Sequence, residues 1–346
     1  MTLDSSFAKQ LRSSSERLFS FVENFHQVKV LVVGDLTLDE FLTGQVERVS
    51  REAPVLIIRH EQTRQVPGGG ANAVYNLAKL GAQVKVVGLL GKDDQGQALR
   101  RIFEAAKIDT SGIFLDLDRP TVTKTRISGH ARQSVTQQIV RVDRKSDDLP
   151  EESLQLQLAD YIRSQVEKVD VVVCSDYGDG VFTPHVIAAA LTHPLTIVDT
   201  QQNLERFAGA TLFTPNLPEA EKAVGYPISS PEILAQAGKD LLRLTQAQQI
   251  LITRGEFGMS LFDRNDSTTS HIPAFNRTDV YDVTGAGDTV VAALTLSLCA
   301  GASVWEAAVL GNLAASIVIR KFGTSTTTPG EIKSALETLL DEVDQL

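Results

Sequence analysis

The sequence predicts an α/β protein with a mostly parallel central sheet, helices on both faces and a small β-sheet lid. After Pro150, short apolar strands alternate regularly with helical segments, which is typical of a parallel sheet covered on both sides. Two earlier stretches are rich in β-branched residues but lack helical periodicity, and they predict the second sheet. Polar and glycine-rich segments follow the predicted strands, where open α/β sheets place their ligands.

Composition narrows the class of protein. The chain has 346 residues, 42% hydrophobic and 22% charged, which suits one large soluble domain or a main domain with a smaller appendage. A net charge of -10 disfavours nucleic acids and anionic membranes as partners. Cys174 and Cys299 lie in apolar runs, as expected of buried thiols in a reducing compartment. Without a signal peptide or membrane-length apolar run, we expect a cytoplasmic protein.

The first half of the chain contains the predicted lid. Residues 1–27 have apolar side chains at helical spacing and predict an amphipathic helix packed on its own domain, and an apolar strand follows at 28–33. Strand-like residues at about 41–66 and 113–143 predict the lid sheet. The elements between them are a helix ending before Gly81, a strand at 84–90 and a helix reaching about residue 106.

The second half alternates between helix and strand. Predicted helices cover 151–167, 184–192, 217–225 and 231–246, and predicted strands cover 169–174, 195–198, 211–214 and 249–253. A hairpin over 259–262 and 270–275 precedes a helix from about Thr289 to Ala300. A capping box at Ser303–Glu306 begins a helix to about residue 322, and a final helix follows.

The segment Asp282-Val283-Thr284-Gly285-Ala286-Gly287-Asp288-Thr289 is the strongest candidate for chemistry. The amides of Gly285, Ala286 and Gly287 meet little side-chain obstruction, and with the positive end of the following helix they would hold an anion. Asp288 would accept the proton of an attacking hydroxyl, as phosphoryl transfer requires. Because Asp is also a preferred N-cap residue, a plain helix cap is the structural alternative.

Two segments near the start of the sheet could bind a polyol. Asp35 and Asp39 follow the first strand and could accept hydrogen bonds from sugar hydroxyls, although Asp is also a common turn residue. The Gly68–Asn72 segment would bring backbone amides and the Asn72 side chain against the same ligand.

Two segments in the second half could serve a nucleotide. Asn216-Leu217-Pro218-Glu219 is a good helix start, and Glu219 could also help to hold Mg²⁺ through water. The Thr253–Gly258 segment follows a strand and could contact nucleotide phosphates, or it could be a plain glycine turn.

Together these segments resemble the ribokinase-like (PfkB-type) carbohydrate kinases over roughly residues 28–340. The motifs that carry the resemblance are Gly68-Gly69-Gly70-Ala71-Asn72, Val87–Gly96, Asn216–Glu219 and Asp282–Thr289. The resemblance implies a three-layer α/β/α fold with a β-sheet lid. Many heptose-phosphate kinases of this kind carry a fused nucleotidyltransferase domain. Because the resemblance to the kinase fold extends to the end of this sequence, we expect this chain to lack that second activity.

Within the family the chain is most similar to the D-glycero-D-manno-heptose-7-phosphate kinase domain. Stretches that support this include Glu52-Ala53-Pro54-Val55, Ser175-Asp176-Tyr177 and Gly323-Thr324-Ser325-Thr326. Two features depart from that pattern. Asp199-Thr200-Gln201 stands where Asp-Pro-Lys is usual, and residues 127–140 form a longer segment.

The resemblance implies an ATP- and Mg²⁺-dependent sugar kinase with Asp288 as base and Gly285, Ala286 and Gly287 as anion hole. Residues implied to contact the sugar or its phosphate are Asp35, Asp39, Gly69, Gly70, Asn72, Arg126, Arg141 and Asp176. Residues implied to serve the nucleotide are Asn216, Glu219, Thr253, Gly255, Gly258 and Asn312. Asp282 and Thr284 are implied to bind a monovalent cation such as K⁺.

Other functions remain open at this point. The chain could phosphorylate another sugar or a nucleoside, or it could be a non-catalytic sugar- or nucleotide-binding regulator on the same fold. We expect small-molecule partners and a homodimer formed through the lid.

Overall fold

The structure is a computed structural model that describes residues 4–131, 136–275, 280, 282–321 and 323–345. Residues 132–135 of the longer segment at 127–140, residues 1–3 of the predicted first helix and residue 322 lie outside this part.

The described strands are β1 (Lys29–Gly34), β2 (Leu36–Val49), β3 (Leu56–Gly69), β4 (Gln83–Gly91), β5 (Asp109–Asp116), β6 (Val122–His130), β7 (Gln137–Arg144), β8 (Val171–Asp176), β9 (Thr196–Thr200), β10 (Leu212–Phe213), β11 (Gln249–Thr253), β12 (Met259–Asp263) and β13 (Asp266–Ile272).

The described helices flank the main sheet. They are α1 (Ser5–Asn24), α2 (Gly70–Lys79), α3 (Asp94–Ala105), α4 (Glu152–Gln165), α5 (Pro184–Ala190), α6 (Leu217–Val224), α7 (Pro231–Thr245), α8 (Ala286–Cys299), α9 (Val304–Val318) and α10 (Pro329–Asp344). None of them is both long and apolar enough to cross a bilayer.

Among the described residues the main sheet has nine strands in the order β13-β12-β11-β10-β9-β8-β1-β4-β5. The pairs from β11 through β5 are parallel, while β12 and β13 form the predicted antiparallel hairpin at one edge. In β1, Val30 and Val32 face one hydrophobic core while Leu31 and Val33 face another. This alternation follows from the two-residue period of a strand and divides the helices into two layers.

One layer contains α1–α3 and α8–α10, and the other contains α4–α7. The first helix, α1, buries Phe7, Leu11 and Leu18 against its own domain, where Phe7 packs on Trp305. This packing follows from the helical spacing of the apolar side chains.

The lid is a second sheet in the order β3-β2-β6-β7. The predicted lid segment at about 113–143 began too early, because Ile113–Asp116 belong to β5 and pair with β4 in the main sheet. Strand propensity alone could not distinguish the two sheets. The polypeptide passes from β1 into β2 at Asp35, so the lid begins at the carboxyl end of β1.

Candidate active site

Asp288 lies in the first turn of α8. The helix begins at Ala286, three residues before the predicted start near Thr289, with Gly285 in a left-handed conformation (φ 78°) at the N-cap. Asp288 is 4% exposed, and its carboxylate makes no capping hydrogen bond. The simple helix-cap interpretation of Asp288 is therefore wrong.

Both oxygens of the Asp288 carboxylate accept hydrogen bonds. Asn72 Nδ2 donates to Oδ2 at 2.7 Å, and the Tyr177 hydroxyl donates to Oδ1 at 3.1 Å. Asn72 is held in turn by Asn76, whose Oδ1 accepts from Thr289 Oγ1 at 3.0 Å. This buried network joins α2 to α8 and fixes the carboxylate. The Asn72 side chain thus positions Asp288, and its direct contact with a polyol stays a prediction.

Burial raises the pKa of Asp288 to about 6, and the nearby Asp39 carboxylate adds to the rise. Hydrogen bonds from Asn72 and Tyr177, together with the positive charge of Lys124, oppose it. A carboxyl group with this pKa is ionised at neutral pH and remains a better proton acceptor than an ordinary Asp. The arrangement suits a general base.

The predicted anion hole is only partly available. The Ala286 amide donates to the Val283 carbonyl at 3.2 Å, so its predicted role is wrong. The cause is the early start of α8, which closes a turn over residues 283–286. Within the described part of the chain, the amides of Gly285 and Gly287 have no hydrogen-bond acceptor. A side chain added at Gly287 would meet no described residue within 4 Å, so space for a ligand lies beside it.

Two predicted sugar ligands, Asp35 and Asp176, make structural hydrogen bonds. Asp35 is 1% exposed, and its carboxylate accepts from the amides of Tyr177 (2.8 Å), Asp179 (3.1 Å) and Val181 (3.0 Å). Burial and the Asp176 charge raise the pKa of Asp35 to about 7. Asp176 accepts from Thr200, Gly178 and Arg206. Each carboxylate thus accepts three hydrogen bonds from the protein itself, and the contact of Asp35 and Asp176 with a sugar stays a prediction.

The glycines before α2 allow close packing. The Gly70 amide donates to the Asp35 carbonyl at 2.9 Å, and a side chain at Gly69 would lie 2.9 Å from Thr37 Oγ1. Gly69 also has a positive φ of 51°. These two glycines bring the β1–β2 corner against the start of α2, and their contact with a sugar stays a prediction.

The inner face of the lid carries a row of cationic side chains. Phe41 is in register with Arg64 and Arg126, and Arg126 is in register with Arg141, so the four side chains share one face. Arg64 and Arg126 each lie over the Phe41 ring, at 4.8 and 5.3 Å from its centroid. Lys124 lies on the same face, because it is two residues from Arg126 on the same strand.

Two of these cations are paired within the lid. Arg126 is 2.8 Å from the predicted sugar ligand Asp39, and both side chains are largely buried. Arg141 makes a two-point contact with Asp143. Neither Arg64 nor Lys124 makes an ion pair with any other described residue. The inner face is therefore cationic next to Asp288.

The Asn216–Glu219 segment forms the capping box of α6. The Glu219 amide donates to Asn216 Oδ1, and the Asn216 amide donates to Glu219 Oε2, each at 2.9 Å. Burial raises the pKa of Glu219. Burial, followed by the charges of Asp288 and Glu219, also raises the pKa of Asp199. Asp199 and Glu219 thus form an acidic patch beside Asp288, the candidate base.

The Thr253–Gly258 segment combines an open turn with a packed one. No described residue lies within 4 Å of a side chain added at Gly255. The Gly258 amide closes a turn by donating to the Gly255 carbonyl, and a side chain added at Gly258 would collide with the Ile272 carbonyl. The predicted nucleotide contact of Gly258 is corrected for this reason. Thr253 pairs with Asn216 across a β-bridge, and the Asn312 side chain donates to the Pro273 carbonyl at 2.7 Å.

Asp282 is the candidate for a monovalent cation. Its carboxylate accepts from the amides of Thr284 (2.9 Å) and Gly323 (3.1 Å). Burial alone would raise its pKa, but these hydrogen bonds and Arg126 lower the pKa below its usual value. Among the described residues, no group of three or more His, Cys, Asp or Glu side chains could hold a metal ion.

Several residues of the site were missed by the sequence analysis: Arg64, Asn76, Lys124, Tyr177 and Asp199. The alternation in Thr-Lys-Thr-Arg of β6 could have placed Lys124 beside Arg126 on one face. Tyr177 directly follows a buried strand at the ligand-binding edge of the sheet, which is a usable signal.

A family model described as pfkB family carbohydrate kinase matches residues 27–330. The bifunctional protein HldE of Pelobacter propionicus is 41% identical over 331 residues, which cover 94% of this chain and 66% of that protein. The bifunctional protein HldE of Geobacter metallireducens is 40% identical over 327 residues, which cover 93% of this chain and 65% of that protein. The chain thus spans about two thirds of the length of these relatives.

Solved structures confirm the predicted fold. Phosphofructokinase-2 from Escherichia coli in complex with potassium has a TM-score of 0.72 at 19% identity, covering 90% of this chain and 99% of that one. Ribokinase from Arabidopsis thaliana complexed with ribose and ATP has a TM-score of 0.68 at 18% identity, covering 90% of this chain and 98% of that one. At such identities the likeness establishes a ribokinase-like fold.

Proposed function

Because the chain belongs to the pfkB family of carbohydrate kinases, we propose that it transfers the γ-phosphoryl group of ATP to a hydroxyl of a phosphorylated sugar. The observation that carries the proposal is the buried Asp288 carboxylate, held from both sides next to the amides of Gly285 and Gly287, which donate to no other described residue. A proton acceptor beside an anion site at a helix N-terminus is the minimum that phosphoryl transfer needs.

In this mechanism the sugar hydroxyl lies against the Asp288 carboxylate and gives up its proton as its oxygen attacks the γ-phosphorus. The bond from that phosphorus to the bridging oxygen of ADP breaks, and the positive end of α8 stabilises the charge on the transferring group. Asn72 keeps the carboxylate facing the acceptor hydroxyl throughout.

A divalent cation fits the acidic patch. Asp199 and Glu219 are desolvated carboxyl groups with no ion-pair partner among the residues that the structure describes. They would hold Mg²⁺ bound to the nucleotide, Glu219 through water, and Mg²⁺ would neutralise phosphate charge. Thr253 and Gly255 would contact the nucleotide phosphates, and Asn312 would lie near the base.

The inner face of the lid supports a phosphorylated substrate over a neutral one. Arg64, Lys124, Arg126 and Arg141 face the site, and guanidinium groups bind phosphate oxygens in pairs. These four side chains supply positive charge that is missing at Gln201, the position where the related kinases have Lys. Within this class a heptose 7-phosphate is our first candidate, since the chain resembles the kinase domain specific for that sugar.

Two further features belong to the proposal. Asp282 and Thr284 would bind K⁺ and steady the anion site, because the Asp282 carboxylate stays ionised. The outer face of the lid would pair with the lid of a second copy. Apolar side chains with substantial exposure lie on it, including Val55 (56%) and Val140 (46%), and such a face is typical of an interface.

The test is a screen of ATP consumption over sugars and their phosphates, with the product site assigned by phosphorus NMR. We expect sugar phosphates to be consumed in preference to the matching free sugars. Preference for free sugars or nucleosides would contradict the substrate class. Ligand-induced thermal stabilisation without any ATP consumption would instead favour a binding regulator.

A further inference from the structure

Tyr177 connects three parts of the candidate site. Its amide is fixed by the Asp35 carboxylate, its ring lies under Lys124 of the lid with Nζ 5.7 Å from the ring centroid, and its hydroxyl reaches Asp288. Few side chains could span these three points, because the residue needs both a flat apolar body and a polar tip.

We infer that Tyr177 is a positioning residue whose hydroxyl holds one oxygen of the Asp288 carboxylate and stabilises its ionised form for proton transfer. The inference rests on the proposed function, since it concerns the same base. Each carboxylate oxygen has two lone pairs, so the hydrogen bonds from Tyr177 and Asn72 leave room for the sugar hydroxyl.

The Tyr177 hydroxyl is a permanent donor. Burial, followed by the charges of Asp288 and Asp199, raises the pKa of Tyr177 well above its usual value, so the hydroxyl keeps its proton across the working pH range. It therefore favours the charged form of Asp288 at every pH where the enzyme works. The other polar and charged groups that face Asp288 are Asn72 on α2, Asp39 and Lys124 on the lid and Asp199 on β9.

Removing the hydroxyl has a calculable effect on the pH profile. Without that hydrogen bond the pKa of Asp288 should rise from about 6 by about one pH unit, the usual scale for one hydrogen bond to a charged group. Because the base must be ionised, activity increases with pH through this pKa. At pH 6 the ionised fraction should fall about fivefold, whereas at pH 8.5 it should barely change.

The experiment compares kcat/KM for the sugar between pH 5 and 9 in the wild type, Tyr177→Phe and a control, Tyr161→Phe. The control removes another tyrosine hydroxyl, which contacts Ser111 Oγ at 2.6 Å on the far side of the sheet. We expect the acidic limb of the pH profile of kcat/KM to shift by about one unit to higher pH only in Tyr177→Phe, with KM for ATP unchanged. An acid limb that coincides with the wild type would overturn the inference.

A second measurement does not depend on how the Phe variant folds. Replacing all tyrosines with 3-fluorotyrosine makes each hydroxyl a stronger donor, so the acidic limb of the pH profile should move to lower pH. An unmoved limb would again count against Tyr177.

The variant Asp288→Asn distinguishes a failure of the proposed function from a failure of the inference about Tyr177. If it retains normal turnover, the proposed base fails and the inference with it; if it is inactive while the Tyr177→Phe limb is unmoved, only the inference fails.

Discussion

Replacing Asp288 with Asn should lower the turnover rate sharply and stabilise the fold at the same time. The folded-state pKa of about 6 lies above the ordinary value of 3.8, so the native state binds this proton more tightly than the unfolded chain. Stability therefore falls as pH rises from about 4 to 6, and the ionised carboxylate costs about 3 kcal/mol above that range. Asn keeps the shape and can still accept from Asn72, but about 1 kcal/mol of hydrogen bonding is lost.

The net expectation is a gain of about 2 kcal/mol at pH 8 that disappears toward pH 4, measured by urea unfolding at both pH values. Turnover should fall by about 10²–10⁴-fold, the usual contribution of a general base. Asp341→Asn, at an exposed position on α10, is the matched control and should change neither quantity. A variant that is less stable by the same amount at both pH values would refute the desolvated-base account.

Three other perturbations test the lid and the acidic patch. Arg126→Gln should raise KM for a sugar phosphate by about 10–100-fold, because one charge-assisted contact to the phosphate is lost, and it should leave KM for the free sugar unchanged. An equal rise in KM for both sugars in steady-state kinetics would count against phosphate recognition. Glu219→Gln should increase the Mg²⁺ concentration for half-maximal rate at saturating ATP, and an unchanged Mg²⁺ titration would remove Glu219 from that role. Val140→Glu should turn a dimer into a monomer in sedimentation experiments. Leu117→Glu, which also changes an exposed apolar residue, should leave the dimer intact. A dimer that persists in Val140→Glu would place the interface elsewhere.

The layered architecture was predictable because local patterns determine it. The continuous apolar runs of β1 and β8 are buried on both faces, and the capping boxes of α6 and α9 mark where those helices begin. The assignment of Ile113–Asp116 failed because a strand's sequence does not say which sheet it joins.

The segment around Asp288 could be predicted as the centre of the candidate site, whereas the contacts that surround it could not. Asp288 and its glycines could be found because they are contiguous in sequence, and small residues directly before a helix leave its first amides open to an anion. The hydrogen bonds of Asp35 could not be predicted, because the three amides that donate to its carboxylate come from residues 177–181, about 140 positions away. Tyr177 was missed for the same reason, since only the fold brings its hydroxyl to Asp288.

The most direct test of the central claim is a structure of the protein with a sugar phosphate and a non-hydrolysable ATP analogue. We expect the acceptor hydroxyl to lie about 2.6–3.2 Å from the Asp288 carboxylate, with the γ-phosphate at the amides of Gly285 and Gly287 and the sugar's own phosphate against the lid arginines. A hydroxyl that contacts a different proton acceptor, with Asp288 still enclosed by protein side chains alone, would contradict the account.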